Sequence, residues 1–232
     1  MSIRENILQV QERLARAAER SGRTLDDITL VAVTKTVGIP EVKEAKAAGL
    51  SHFAENRVQL LMDKQEDSEL QYPQTDWHLI GHLQTNKVKY LMDRVSLIHS
   101  VDSLHLAKEI SRQAEKTGKV MPILLELNIS GEESKFGLPP EQIPEFLEGF
   151  TELSGVKLKG LMTMAPLIAE TSQKRKIFRK LHNIYVDMAK KTIYNVDMSI
   201  MSMGMSNDFE VAVEEGSNMV RIGTSIFTQD KT

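Results

Sequence analysis

A single (β/α)₈ barrel spanning residues 1–232, with eight parallel strands ringed by helices, is the fold this sequence predicts. Three observations carry it. Short, apolar, β-branched runs alternate with amphipathic segments along the whole chain. Eight such runs can be counted, which is what closure of a parallel sheet needs. The 232 residues then allot about 29 to each unit, a small version of a fold that typically takes ~250 residues. An open, doubly wound parallel sheet shares the alternation and is the alternative.

The elements follow in order. Ile3, Ile7, Val10, Leu14 and Ala17 recur at spacings of three and four, one face of a helix. Gly22 is its expected C-terminal cap. Ile28–Val33 is a strand buried on both sides. Pro40 fits the first turn of the next helix, which Gly49 ends. Strands are then expected at 52–55, 77–80, 96–99, 123–128, 158–163, 197–201 and 219–222. Helices are expected between them, at 57–65, 86–92, 103–117, 143–153, 171–190 and 207–215. Ten residues follow Ile222, too few for a full eighth helix, so the first helix is expected to fill that place in the outer ring. Residues 130–140 are the longest irregular stretch after a strand.

Composition narrows the function classes. With 29 Lys+Arg against 32 Asp+Glu, the net charge is −3, which offers no electrostatic footprint for nucleic acid or an anionic membrane. Hydrophobic residues make up 41 % of the chain, enough to offset chain entropy, so disorder is excluded. The absence of cysteine removes disulfides, thiol nucleophiles and Cys-based zinc sites. Charges interrupt every apolar stretch of the N-terminus, and the ITLVAV run is far short of the ~20 residues that span a bilayer. A cytoplasmic protein is the expectation.

Barrel enzymes carry their chemistry at the C-terminal strand ends. Here those ends present Thr34-Lys35-Thr36, Glu55-Asn56-Arg57, Gly81-His82, Asn128, Thr163-Met164, Ser202 to Ser206, and Arg221 with Gly223-Thr224. A lysine where a buried strand opens into the barrel mouth can lose its proton to desolvation and form a Schiff base with a carbonyl. Ser202 and the Gly223-Thr224 backbone end strands seven and eight, where such barrels commonly bind phosphate. Lysine and cradle together point to a phosphorylated carbonyl compound. Pyridoxal 5′-phosphate (PLP) and a sugar phosphate processed by a Schiff-base lyase both satisfy that description. His78 and His82 are four apart but lie on strand and loop, so no metal site is expected from them. Lys174, Arg175, Lys176, Arg179 and Lys180 read as the solvated face of a helix. Met198, Met201, Met203 and Met205 read as core filler.

VAVTKT around Lys35, HFAENRVQ at 52–59, WHLIGHLQTNK at 77–87 and SMGMSNDFEVAVEEGSNMVRIGTSIF at 202–227 resemble the pyridoxal phosphate homeostasis protein family (YggS/PROSC type). NISGEESKFGL at 128–138 and GLMTMAP at 160–166 extend the resemblance to essentially the whole chain. The family's single barrel is similar to the PLP-binding barrel of alanine racemase, its N-terminal domain. By this resemblance Lys35 carries PLP as a Schiff base, Ser202, Gly223 and Thr224 hold the phosphate, Arg221 faces the pyridine nitrogen, and Asn56 lies beside the ring. Thr34 departs from the serine common in the family but keeps the hydroxyl.

The resemblance has a chemical consequence. Arginine only donates hydrogen bonds. A pyridine nitrogen facing Arg221 must therefore accept and stay unprotonated, which makes the ring a poor electron sink. A two-base racemase also needs a second proton-transfer residue, which in alanine racemase a further β-rich domain and its dimer partner supply. No such domain is read in these residues. The expectation is a monomeric PLP-binding protein of vitamin B6 and amino-acid homeostasis, without robust turnover. Its partners would be PLP, amino acids and PLP-accepting apo-enzymes. The alternative is a PLP-dependent amino-acid racemase.

Overall fold

The computed structural model describes residues 1–132 and 135–228. Eight parallel strands close into a barrel: β1 (Thr29–Val33), β2 (His52–Glu55), β3 (Asp76–Leu79), β4 (Leu97–Val101), β5 (Met121–Glu126), β6 (Val156–Met162), β7 (Val196–Ser202) and β8 (Met219–Ile222). The closing pair is β8 on β1, with Thr29 opposite Met219 and Ala32 opposite Ile222. Closure excludes the open doubly wound alternative.

The period-two alternation of the strands builds two cores. Val31, Val33, Ala54, Leu97, Leu124, Met162 and Met219 fill the barrel interior. Their neighbours Ala32, Phe53, Trp77, Ile98, Leu125, Leu161 and Ile222 face outward into a larger core beneath the helices. β6 passes close against β7 at Gly160, where a Cβ would stand 1.7 Å from the Ile200 carbonyl oxygen. The register shifts on both sides of that residue, and only glycine fits so close an approach.

The outer ring consists of α1 (Ile3–Arg20), α2 (Ile39–Ala47), α3 (Val58–Lys64), α4 (Leu104–Lys116), α5 (Ile143–Phe150), α6 (Thr171–Ala189), α7 (Phe209–Glu214) and the single turn α8 (Thr224–Phe227). Helix α1 takes the eighth place: it buries Ile3, Ile7, Val10, Leu14 and Ala17. Its Asn6 amide donates to the carbonyls of Ile226 and Thr228, both at 3.0 Å. It ends at Ser21, and Gly22 follows at φ 72°. The Arg23 N–H then donates to Ala18 O and the Gly22 N–H to Glu19 O, the paired bonds of a Schellman turn.

Two expectations are corrected. The segment expected as a helix at 86–92 is a 3₁₀ turn over Thr85–Tyr90. Val88 and Leu91, three apart, are both fully buried, and three residues per turn puts them on one side. The basic set on α6 is not a plain solvated face. Lys174 is buried 3.6 Å from Asp208, while Arg175 and Arg179 bind Glu214 and Glu215 at the end of α7. Met201 and Met203 are buried, as core filler should be. Glu133 and Ser134, within the irregular 130–140 stretch and the motif at 128–138, lie outside the described residues, as do residues 229–232. No helix among the described residues is long and apolar enough to cross a membrane.

Candidate functional site

Strand register decides which of the expected residues meet. Val33 pairs with Ala54, so Lys35 and Asn56, each two residues further on, leave adjacent strands at the same level. Ala32 pairs with Ile222, so Gly223 and Thr224 emerge on the other side of Lys35. A Cβ at Gly223 would lie 2.9 Å from the Val33 carbonyl oxygen; the absence of a side chain lets β8 end against β1.

Lys35 itself is exposed at the mouth, but the residue before it is held rigidly. The buried Thr34 donates its N–H to Ala54 O at 3.0 Å and its hydroxyl to Glu55 Oε1 at 2.6 Å. Lys64 on α3 donates to Thr34 O at 2.8 Å and pairs with the carboxylate of Glu55. Both charged groups are buried. Asn56 is half-buried; its Oδ1 is buried and has no hydrogen-bond partner among the described residues.

Ser202 and Arg221 touch directly. Both are buried in the barrel interior. The Arg221 Nη1 donates to Ser202 Oγ at 2.5 Å and its Nη2 to Thr163 O at 3.0 Å. Burial pulls the guanidinium down to about 10, opposed by the nearby Glu126 and Asp208 carboxylates; it remains a cation at neutral pH. Glu126, at the end of β5, is pushed up to about 7 by burial, against the pull of Arg221. The loops after β7 and β8 are joined by the Ser225 N–H, which donates to Ser206 Oγ at 3.3 Å.

Sequence reasoning missed the histidines behind this site. His78 is not paired with His82, which stacks on Phe136 with ring centroids 4.2 Å apart. Its Nδ1 lies instead 2.8 Å from His99 Nε2, and His99 Nδ1 lies 3.0 Å from Ser202 Oγ. Burial drives His78 down to about 3 and His99 well below the ordinary histidine range, so both rings are neutral. Nothing in the local sequence signals His99, and Glu126 falls inside the strand expected at 123–128, whereas β5 ends at Glu126.

The chain as a whole is similar to known proteins. Residues 3–230 match the alanine racemase, N-terminal domain family. The chain is 44 % identical over 231 residues to the pyridoxal phosphate homeostasis protein of Aquifex aeolicus, covering 100 % of both. It is 37 % identical over 226 residues to the protein of that name in Pseudomonas aeruginosa, covering 97 % of this chain and 95 % of that one. Among solved structures, PipY of Synechococcus elongatus PCC7942 with PLP bound superimposes with a TM-score of 0.85 at 30 % identity, covering 98 % of this chain and 100 % of that one. A closed parallel barrel whose seventh and eighth strands meet through a buried serine and arginine, matched end to end at these identities, belongs to the pyridoxal phosphate homeostasis protein family.

Proposed function

We propose that this chain binds PLP through a Schiff base on Lys35 and serves in intracellular PLP and amino-acid homeostasis, holding and exchanging the cofactor rather than turning substrate over. The observation that carries the reading is the buried Arg221–Ser202 pair at the ends of β8 and β7, next to the β1 end that delivers Lys35. The residues fit the cofactor. Arg221 spends two of its N–H groups on Ser202 and Thr163, which leaves three of five donors for a ring nitrogen. Asn56 Oδ1 is a buried acceptor in want of a donor. Gly223 leaves room where a Cβ would crowd the neighbouring strand.

Bound PLP supplies an aldehyde for amines and a ring that withdraws electrons. The chain's own groups restrain that second property. Arg221 cannot accept a proton from the ring nitrogen it would face, so the ring stays neutral and stabilises a carbanion weakly. Ser202, Gly223 and Thr224 would hold the phosphate, and Asn56 would flank the ring. Thr34, clamped by Glu55 and Lys64, fixes the backbone from which Lys35 projects. The exposed lysine can then be reached by amino acids and by apo-enzymes that accept PLP.

Borohydride reduction of the PLP-loaded protein, followed by peptide mass mapping, tests the assignment. A pyridoxyl phosphate adduct on Lys35 is the expected result. An adduct on another lysine, with Lys35 unmodified, would overturn it.

A further inference from the structure

We infer that the opposite, N-terminal mouth of the barrel holds a divalent transition-metal site made by His52, Asp76 and His78. His52 opens β2 and Asp76 opens β3, directly opposite each other in the sheet. His78 lies two residues further along β3, on the same inward face. One atom, His52 Nδ1, faces His78 Nε2 at 3.4 Å and Asp76 Oδ2 at 3.5 Å. Three ligand atoms, one from each residue, lie within 4.8 Å of one another.

The two contacts of His52 Nδ1 are long for hydrogen bonds and close to the spacing of coordinating atoms. An N–H···O bond centres near about 2.9–3.0 Å, and a ring nitrogen can offer one proton or one lone pair, not both to two partners. Ligand atoms about 2.0–2.1 Å from a tetrahedral zinc ion are about 3.3–3.4 Å from one another. Two of the three separations, 3.4 and 3.5 Å, are close to that edge length, and the third lies within 4.8 Å. The side chains of His52 and Asp76 are 34 % and 40 % exposed, which gives a cation an entry path and a fourth position for water. Two imidazoles and one carboxylate suit zinc and its neighbours rather than magnesium or calcium.

His78 also has the support that metal-binding histidines use. A ligating ring donates its other N–H to a fixed acceptor. With a cation on His78 Nε2, the proton resides on Nδ1 and is donated to His99 Nε2, 2.8 Å away. His99 is then protonated on Nδ1 and donates to Ser202 Oγ, 3.0 Å away. Loading the base of the barrel thus sets the tautomers of both buried histidines. The sequence-based expectation of no metal rested on His78 and His82; the ligands that meet come instead from two neighbouring strands.

The test uses PLP-free protein stripped of metal by a chelator and titrated with Co²⁺ and Zn²⁺. Calorimetry and visible absorbance should report a single equivalent of Co²⁺ with the intense bands of four-coordination, displaced by Zn²⁺. Nitrogen-15 NMR of the rings should place the proton on Nδ1 of both His78 and His99 once Zn²⁺ is bound. His52→Ala and Asp76→Asn change partly exposed groups and should leave thermal unfolding of the stripped protein unaltered. Each should weaken binding by more than about 100-fold, the upper end of what loss of a supporting residue alone costs. Absence of binding in the unmodified protein, or unchanged affinity in both variants, would overturn the site.

Discussion

The Arg221 guanidinium donates to the Ser202 hydroxyl at 2.5 Å in the closed interior of the barrel, where β7 and β8 end. His99 Nδ1 lies 3.0 Å from the same oxygen. Ser202 is therefore placed by two strands besides its own. Ser202→Ala should weaken PLP by roughly 1.5–3 kcal/mol, the range for a hydrogen bond to a charged group, in a fluorescence or absorbance titration. Pyridoxal, which lacks the phosphate, should lose more affinity than this variant does. Equal affinities for pyridoxal and PLP would refute a phosphate role for Ser202.

Lys35 is exposed and makes no hydrogen bond or ion pair among the described residues. Lys35→Ala should abolish the imine absorbance of the PLP-loaded protein and leave its thermal midpoint in the PLP-free form unchanged. A large fall in that midpoint would mean that Lys35 is a structural residue.

The clamp beneath Lys35 should behave in the opposite way. Glu55 and Lys64 are buried against Thr34. Removing one partner of such a pair costs about 3–5 kcal/mol because the other charge is left uncompensated. Lys64→Met should lower the urea midpoint accordingly. The double variant Glu55→Gln with Lys64→Met should recover much of the loss.

Glu126 gives stability a pH dependence of definite sign. Burial raises its carboxyl from 4.5 to about 7 in the folded chain. The folded state thus binds the proton more tightly than the unfolded one. Its contribution is fully present below about pH 4.5 and is lost as pH rises to about 7, by roughly 3 kcal/mol in all. Glu126→Gln should flatten that part of the profile and be the more stable protein above pH 7, measured by urea unfolding from pH 5 to 8. An unchanged slope in the variant would assign the dependence elsewhere.

Arg221 bears on turnover. A ring nitrogen kept unprotonated by Arg221 should leave α-proton exchange of bound amino acids slow. Incubation of the PLP-loaded protein with L-amino acids in deuterated water, followed by chiral and mass analysis, should show little racemisation. Racemisation at the 1–10³ s⁻¹ typical of enzymes would establish the racemase alternative.

The sequence by itself determined the eight-strand alternation, the place of α1 in the ring and the set of residues at the strand ends. These depend on local periodicity: a strand buried on both faces reads as a continuous apolar run, and the residue after it must lie at the mouth. The expected β2 (52–55) and β8 (219–222) match the observed strands to the residue. What only the tertiary structure decided is which inward-facing residues meet across the barrel. His99 and Ser202 are 103 positions apart, and His78 and His99 are 21 apart. Outside the barrel, Glu55 on β2 and Lys64 on the helix after it are nine positions apart and meet in the same way. Alternation tells whether such a residue points inward. Its partner is set by register, closure and the stagger of the strands, and these come from packing the whole ring at once.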